Sequence, residues 1–321
     1  MMKSFRPLLL MALLSATVFV ACSSDDTATP SLEPVVLPAK VVSPTDAASQ
    51  QAGNDGFWRE HDQVAIQIGQ TVKLYEATAA NGGLLMAVAA EEPFYWTRGT
   101  STVNVKGWYL GGGQTQRTIP ATWAVAADQN ADDGAGFTAS EFIFGPLSAV
   151  TNIPGERFRR TINFYHQTSK IVVRVKNTGI LHDNPSWLGA VTIGDAAKPI
   201  VMEAAFAEPS EGAYGTWTPT GETGYITPHD ISASGDADRY LRQYEALLIP
   251  QDLDFKPLLS FTIQNAVYYY VPQAGEAVFN PGYQYVYDIE VTRQGLLVTP
   301  TVFLRPFSST TDLPAGVAIG D

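Results

Sequence analysis

An alternation of apolar and polar residues with a period of two runs through most of the chain beyond Gly56. It is clear at 64–68, 259–263 and 285–292, where large apolar residues occupy every second position. Successive side chains of a β-strand point to opposite faces, so this period indicates half-buried antiparallel strands. Turn signals such as the glycines at 111–113 interrupt the segments, and no long helical period is visible. We therefore predict an all-β fold, built from sandwiches rather than from one large barrel.

The first residues have the pattern of an exported lipoprotein. Lys3 and Arg6 precede an apolar stretch that ends at Ala21 and is too short for a comfortable membrane span, so residues 1–21 are predicted to be a signal peptide. Cys22, the only cysteine, follows directly, in a context that resembles the lipobox of bacterial lipoproteins. Cys22 is therefore the predicted lipidation site, with membrane lipid as its partner. The alternative is a buried thiol, for which a chain exported to an oxidising compartment has little use.

The charge balance argues against a nucleic-acid partner. The chain has 20 basic and 32 acidic residues and a formal net charge of −12. Loss of Lys3 and Arg6 with the signal leaves 18 basic residues against 32 acidic ones, a net charge of −14. Such a surface repels phosphate backbones, so nucleic acid is not an expected partner.

The mature chain, roughly 300 residues, exceeds a typical single domain and predicts two. Residues 22–56 are rich in Ser, Thr, Ala, Asp and Pro, which is the composition of a tether. The β-prone segment 34–43 interrupts this tether and carries Pro38 in its middle. Because proline cannot donate to a central ladder, we predict an edge strand or a separable strand there. Residues 57–156 and 157–321 are the predicted N-terminal and C-terminal sandwiches.

The segment 164–176, FYHQTSKIVVRVK, places a histidine and a lysine beside an alternating run. It can be interpreted as part of an active site or as a strand. Ile171, Val173 and Val175 would share one face of such a strand. The strand is the simpler interpretation, and Lys170 is predicted to be a solvated residue at its start.

Histidines offer little support for catalysis. Three of the four, His61, His182 and His229, are each followed by aspartate. Adjacent residues on a strand face opposite sides, so each pair is poorly placed to act on one ligand. Surface or turn positions are the expected roles.

A short acidic stretch has part of the spacing of a calcium loop. Asp128, Asn130 and Asp132 alternate as oxygen ligands do, but Asp133 occupies the place where the loop needs glycine, and Gly134 comes one residue late. We predict an acidic turn between strands, no metal site and no cofactor. Motifs for a phosphate loop, a nucleophile elbow or a zinc cluster do not occur in the sequence.

Tryptophans leave a second function open. Trp96, Trp108, Trp187 and Trp217 could stack on sugar rings, although such residues more often fill a sandwich core. Paired carboxylates for sugar hydrolysis need only meet in space, so the sequence neither predicts nor excludes such a pair.

Six segments in order resemble blocks of the fimbrillin family of Bacteroidales surface lipoproteins, and the acidic residues after Cys22 resemble the export signal of such lipoproteins. The blocks are FWREHDQVAIQI (57–68), FYW (94–96), SEFIFGP (140–146), INFYHQTSKIVVRVK (162–176), ALLIPQDL (246–253) and FNPGYQYVYDIEVTRQGLLV (279–298). The resemblance implies two tandem transthyretin-like β-sandwich domains. It also implies a structural or accessory role in a type V pilus on the cell surface, serving adhesion.

The resemblance further implies assembly by strand addition. In that system a protease removes the first strand of a subunit, and the C-terminal strand of another subunit fills the groove. The candidate displaced strand carries Val35, Leu37, Ala39 and Val41. The candidate donor strand carries Leu313, Ala315, Val317 and Ile319, and its alternative is a disordered terminus. Other pilus subunits are then the expected partners, with a host or bacterial surface ligand as a further one.

We rank the predicted functions in the following order. A structural or accessory pilus component of the outer membrane and cell surface is predicted first. A monomeric surface lipoprotein that binds a carbohydrate or host ligand is the alternative. No constellation supports an enzyme, and none is predicted.

One departure from the family generates a prediction. Polymerising fimbrillins have an arginine after the first strand, whereas this chain has none between Cys22 and Arg59. We expect either cleavage by a protease that does not require arginine, or no cleavage and therefore no activation as a stalk subunit. Mass spectrometry of surface-extracted protein tests this, and a mature N-terminus at Glu60 would overturn it.

Overall fold

The fold is nearly all strand, as the alternation predicts. A computed structural model of the chain describes residues 33–42, 58, 61–78, 84–96, 102–111, 115–152, 161–234 and 237–303. The first strands are β1 Leu37–Val41, β2 Gln63–Ile68, β3 Thr71–Thr78, β4 Leu84–Ala87, β5 Thr102–Tyr109, β6 Thr122–Ala124, β7 Ile143–Thr151, β8 Ile162–His166 and β9 Ser169–Lys176.

The later strands are β10 Leu188–Ile193, β11 Ile200–Val201, β12 Glu203–Ala207, β13 Thr216–Pro219, β14 Thr223–Gly224, β15 His229–Asp230, β16 Tyr240–Leu248, β17 Leu259–Ile263, β18 Ala266–Tyr270, β19 Gln284–Thr292 and β20 Gly295–Phe303. Helices are short: α1 Ala131–Ala139, α2 Gly179–Asp183, and 3₁₀ turns at Pro185–Trp187 and Ser232–Ser234. None of the described helices has the length and apolarity to cross a membrane. The all-β prediction is confirmed.

Seven strands of the first sheet close on themselves in the order β1-β4-β3-β2-β5-β7-β8. Every neighbouring pair is antiparallel except β1 and β8, which run parallel. Apolar side chains fill the interior, among them Ile66, Tyr75, Leu85 and Phe164. The domain boundary predicted near residue 157 lies outside the described residues and stays a prediction; β8, just after it, pairs with β7 of this sheet.

A second core lies between two further sheets. A five-stranded sheet has the order β15-β16-β9-β19-β20, and a three-stranded sheet has the order β10-β17-β18. Ile171 of β9, Tyr287 of β19 and Phe261 of β17 are buried in one apolar cluster, so the two sheets face each other. This is the layer architecture of a sandwich, in which each sheet buries one apolar face. We call this pair of sheets the second sandwich, because its strands follow those of the barrel along the chain.

The strand prediction at the segment 164–176 is confirmed, but the prediction for Lys170 is wrong. β9 is central, with β16 on one side and β19 on the other, and its residues are buried from Ser169 to Val175. The Lys170 ammonium lies 2.7 Å from Glu245 Oε2, and its nitrogen lies 5.5 Å from the centre of the Phe137 ring. A central strand covered on both faces buries even its polar side chains, provided that they find a partner.

The buried pair of Lys170 and Glu245 generates the first structural test. Glu245→Gln leaves the Lys170 ammonium buried without its carboxylate, so the free energy of unfolding should fall by about 3 kcal/mol. Urea denaturation measures the loss.

The matched control is the more exposed pair of Lys106 and Glu208, whose Nζ and Oε2 are also 2.7 Å apart. Glu208→Gln should lower the free energy of unfolding by less than about 1 kcal/mol, because solvent screens an exposed pair. Equal losses in the two variants would contradict the burial argument.

Candidate functional site

The first strand is held inside the barrel wall by backbone hydrogen bonds on both of its edges. Leu37 and Pro38 are opposite Leu85 and Leu84 of β4, whereas residues 39–41 are opposite residues 162–164 of β8. Beyond the strand, the Val35 amide donates to Phe94 O at 2.7 Å, and the Val42 amide donates to Phe164 O at 2.8 Å. We call the gap between β4 and β8 that β1 occupies the β1 slot.

Of the two alternatives predicted for this segment, the edge strand is therefore wrong, and the separable strand stays a prediction. Pro38 is tolerated because of its position along the strand. It is the last residue opposite β4, and Ala39 is the first opposite β8. The missing N–H falls at the point where β1 changes its pairing partner, so it removes at most one ladder bond.

One face of β1 is part of the barrel core. The four residues of the candidate displaced strand, Val35, Leu37, Ala39 and Val41, are all buried, with exposures between 0% and 6%. Lys40, between the last two, is exposed. The alternation of a strand thus places each second side chain in an apolar site and leaves the others outside.

Tyr75 of β3 is fully buried and ties β1 to the neighbouring loop. Its hydroxyl donates to Val35 O at 3.2 Å and accepts from the Phe94 amide at 3.1 Å. Burial raises the pKa of the Tyr75 phenol to about 12. Sequence reasoning missed this residue, because nothing in the alternation of β3 marks which tyrosine meets the first strand.

Trp58 is buried in the barrel core beside Phe164 of β8 and Tyr109 of β5. Its ring meets the edge of Phe164 at 5.1 Å between centroids and that of Tyr109 at 5.8 Å. Trp58 belongs to the first of the blocks that resemble fimbrillins. The tryptophan of that block therefore has a packing role in the barrel core, which the motif alone does not reveal.

Two groups of predicted site residues lie outside the described part of the chain. These are the lipidation site Cys22 and the candidate donor residues Leu313, Ala315, Val317 and Ile319. Both remain predictions.

The four tryptophans divide between core and surface. Trp108 is 1% exposed and donates to Gln116 O at 2.8 Å, and Trp96 is also buried. Trp217 packs against Phe206, with ring centroids 5.1 Å apart. Trp187 and Trp217 are both half-buried, and of the two Trp187 lines an open cleft.

The remaining candidates for chemistry make local structural contacts. His166 Nδ1 lies 3.1 Å from Glu141 Oε1, and His61 Nδ1 lies 3.6 Å from Glu76 Oε2. His229 packs against the backbone of Gly134. Within the described ranges, no three His, Cys, Asp or Glu residues come together as a metal site would require.

The residues that have the spacing of a calcium loop, Asp128, Asn130 and Asp132, hold a backbone turn. Asp128 Oδ1 accepts from the Asn130 amide at 3.0 Å, and Asn130 Oδ1 accepts from the Asp230 amide at 2.9 Å. Asp132 and Asp133 have φ values of 48° and 56°, which is a left-handed turn into α1. Two of the expected ligand oxygens are thus used to hold the backbone.

The sequence and the fold point to one family. The fimbrillin-like family profile matches residues 50–303. The chain therefore belongs to the fimbrillin-like family, as the ordered blocks predict. A search of curated proteins finds no match to this chain.

Solved structures with TM-scores above 0.5 share the fold of this chain. A candidate cell adhesion protein from Bacteroides uniformis ATCC 8492 is 17% identical, with a TM-score of 0.57 over 84% of this chain and 97% of that one. Another from Bacteroides ovatus ATCC 8483 is 16% identical, with a TM-score of 0.57 over 84% and 96%. The fimbrial anchor protein Mfa2 from Porphyromonas gingivalis is 10% identical, with a TM-score of 0.37 over 87% and 99%.

Tyr75→Phe tests how firmly the phenol holds β1. The variant loses the hydroxyl shared by Val35 and Phe94, so the free energy of unfolding at neutral pH should fall by roughly 1–2 kcal/mol. Tyr244→Phe in the second sandwich is the control, because the Tyr244 hydroxyl has no hydrogen-bond partner among the described residues. Its loss should be smaller, and equal losses would contradict the role of Tyr75.

The raised pKa of Tyr75 also predicts how the free energy of unfolding changes at alkaline pH. Between about pH 10 and pH 12 the unfolded chain loses the phenolic proton while the folded chain keeps it, so stability falls as pH rises. From pH 9 to pH 11 the wild type should lose on the order of 1 kcal/mol more than Tyr75→Phe. Denaturation curves at both pH values measure this, and parallel losses would show that Tyr75 ionises as an exposed phenol does.

Proposed function

We propose that this protein is a pilus-related adhesion component of the cell surface that assembles by β-strand addition at the β1 slot. The supporting observation is the state of β1 itself. Its backbone pairs with strands on both sides, while its three inward side chains, together with Val35 just before it, lie in the barrel core. Loss of such a strand would expose two rows of backbone groups and an apolar trough, which only another strand can satisfy together.

A short repeat within the sequence suggests what fills the slot. Residues 37–41 read Leu-Pro-Ala-Lys-Val, and residues 313–317 read Leu-Pro-Ala-Gly-Val, identical at four of five positions. In this alignment Leu313, Ala315 and Val317 take the places of the three buried side chains of β1. The tail of a second copy would then present the same side-chain volumes at the same spacing, including a proline where the pairing partner changes.

The connection after β1 makes displacement feasible. β1 ends at Val41, and β2 begins only at Gln63. A cut between these strands would leave β1 held to the barrel by non-covalent contacts alone. Because this stretch has no arginine before Arg59, we propose that a protease of different specificity makes the cut. Attachment to the outer membrane through lipid on Cys22 is part of the same proposal.

Two neighbouring tail positions give an internal control for this assembly. Ala315 aligns with Ala39, which is 3% exposed, whereas Gly316 aligns with the exposed Lys40. Ala315→Asp would bury an unpaired carboxylate in the slot, so it should abolish the oligomer ladder of unboiled cell-surface extract on a denaturing gel. Gly316→Lys makes the tail identical to β1 over these five residues and should leave the ladder intact.

The outcomes separate the tail from a general folding effect. Loss of the ladder in Ala315→Asp alone supports strand addition in this register. A wild-type ladder that persists in Ala315→Asp, or a wild-type extract with a single band, would overturn assembly of this chain with itself.

A further inference from the structure

The second sandwich carries a cleft that the strand-addition proposal does not use. Its volume is about 810 Å³, within the range typical of small-molecule sites. Three connections form its walls: the α2 region after β9, the turn between β17 and β18, and the turn between β19 and β20. Loops that cluster on a rigid β-scaffold are a common setting for ligand recognition.

One hydrogen bond joins two of these connections, and others brace each connection internally. The Gln264 amide donates to Trp187 O at 3.0 Å, and the Trp187 amide donates to Asn184 O at 3.1 Å. In the opposite wall the Thr292 hydroxyl donates to Gly295 O at 2.9 Å. Gly179 begins α2 with a φ of 63°, and a Cβ there would lie 2.4 Å from Val291 O, so α2 packs directly on β19. The cleft is therefore held in shape before any ligand arrives.

Two aromatic side chains line the cleft. Trp187 is half-buried and packs on one side against the sandwich core. Tyr268, on the edge strand β18, is 40% exposed. An aromatic ring that is anchored at one side and open at the other offers a flat apolar surface for stacking.

Four polar side chains of the cleft form no hydrogen bond or ion pair with other described residues, whereas Asn184 and Thr292 bond nearby carbonyls. In the described residues, no ion pair or hydrogen bond occupies the side chains of Asp183, Arg293, Gln264 or Gln294, all of which line the cleft and are exposed. Asp183 and Arg293 carry opposite charges, so the cleft has little net charge. The amides and the two charged groups together supply both donors and acceptors.

We propose that this cleft binds a neutral saccharide. A sugar ring has one apolar C–H face, which Trp187 and Tyr268 can stack against, and a rim of hydroxyls that both donate and accept hydrogen bonds. The free polar groups around these rings match that rim. A nucleotide or another anion would meet Asp183 as well as Arg293, in a chain with a net charge of −12.

This inference names a ligand class for the adhesion part of the proposed function, but its geometry is independent of the β1 slot. The saccharide site is formed by loops of the second sandwich, whereas assembly depends on the barrel. Binding and assembly can therefore fail separately.

The test uses the full chain on an array of oligosaccharides ending in galactose, mannose, fucose or N-acetylglucosamine, with sialylated glycans as the acidic set. Saturable binding to a neutral set is expected. Trp187→Ala and Tyr268→Ala should each weaken it at least tenfold, and Asp183→Asn should weaken it while leaving both rings in place. Tyr225→Ala is the control, since Tyr225 is 43% exposed and does not line this cleft.

Each outcome decides the proposal. Loss in the cleft variants with normal binding by Tyr225→Ala, together with an unchanged oligomer ladder, supports the saccharide site. No binding to any neutral glycan, or equal binding by Trp187→Ala and wild type, overturns it. Binding to sialylated glycans alone also overturns it, and loss in Arg293→Ala would then assign the cleft to acidic sugars. None of these results bears on strand addition, which the ladder reports.

Discussion

Closure of the barrel depends on one short strand. Backbone N–H and C=O groups in a buried sheet must be paired, and a barrel satisfies them by leaving no edge. Here β1 supplies the missing pairing between β4 and β8 and places three side chains in the core. The strand that completes the fold is also the one connected to the rest by the long stretch between Val41 and Gln63. In the proposed assembly, the contacts that stabilise the barrel would also be the contacts that join one subunit to the next.

Periodicity in the sequence predicts the strands well, because a half-buried sheet imposes its period on local residues. It does not predict neighbours, since β1 and β8 are more than a hundred residues apart and pair in parallel. For that reason Pro38 suggested an edge strand, and Lys170 suggested a solvated strand start. Both positions are enclosed by strands that come from distant parts of the sequence.

Prediction of the candidate sites has the same limit, because the local sequence does not show which distant residues come into contact. The alternation at residues 35–41 marks the inward face of β1 correctly, because burial follows the pleat. Tyr75, which bonds Val35 O, and Trp58, which lies in the same apolar cluster, carry no local signal of their role. The sequence likewise offers several tryptophans as candidates for stacking on sugar rings. Only the fold shows that Trp187 lines a cleft whereas others, such as Trp108, are buried in the core. Membership of the fimbrillin-like family supplies the class of protein, and the particular contacts of this chain supply the proposals.

Disulfide trapping between copies tests the central claim most directly. In the proposed register Gly316 takes the place of Lys40, which is opposite Asn163 of β8. Cysteines at 316 and 163 should therefore lie within bonding distance across the slot and link neighbouring subunits. A cysteine at the exposed Met86 of β4, paired with the one at 316, should give no link. Linkage through 163 alone is the predicted result; linkage through 86, or through neither, would contradict strand addition at the β1 slot.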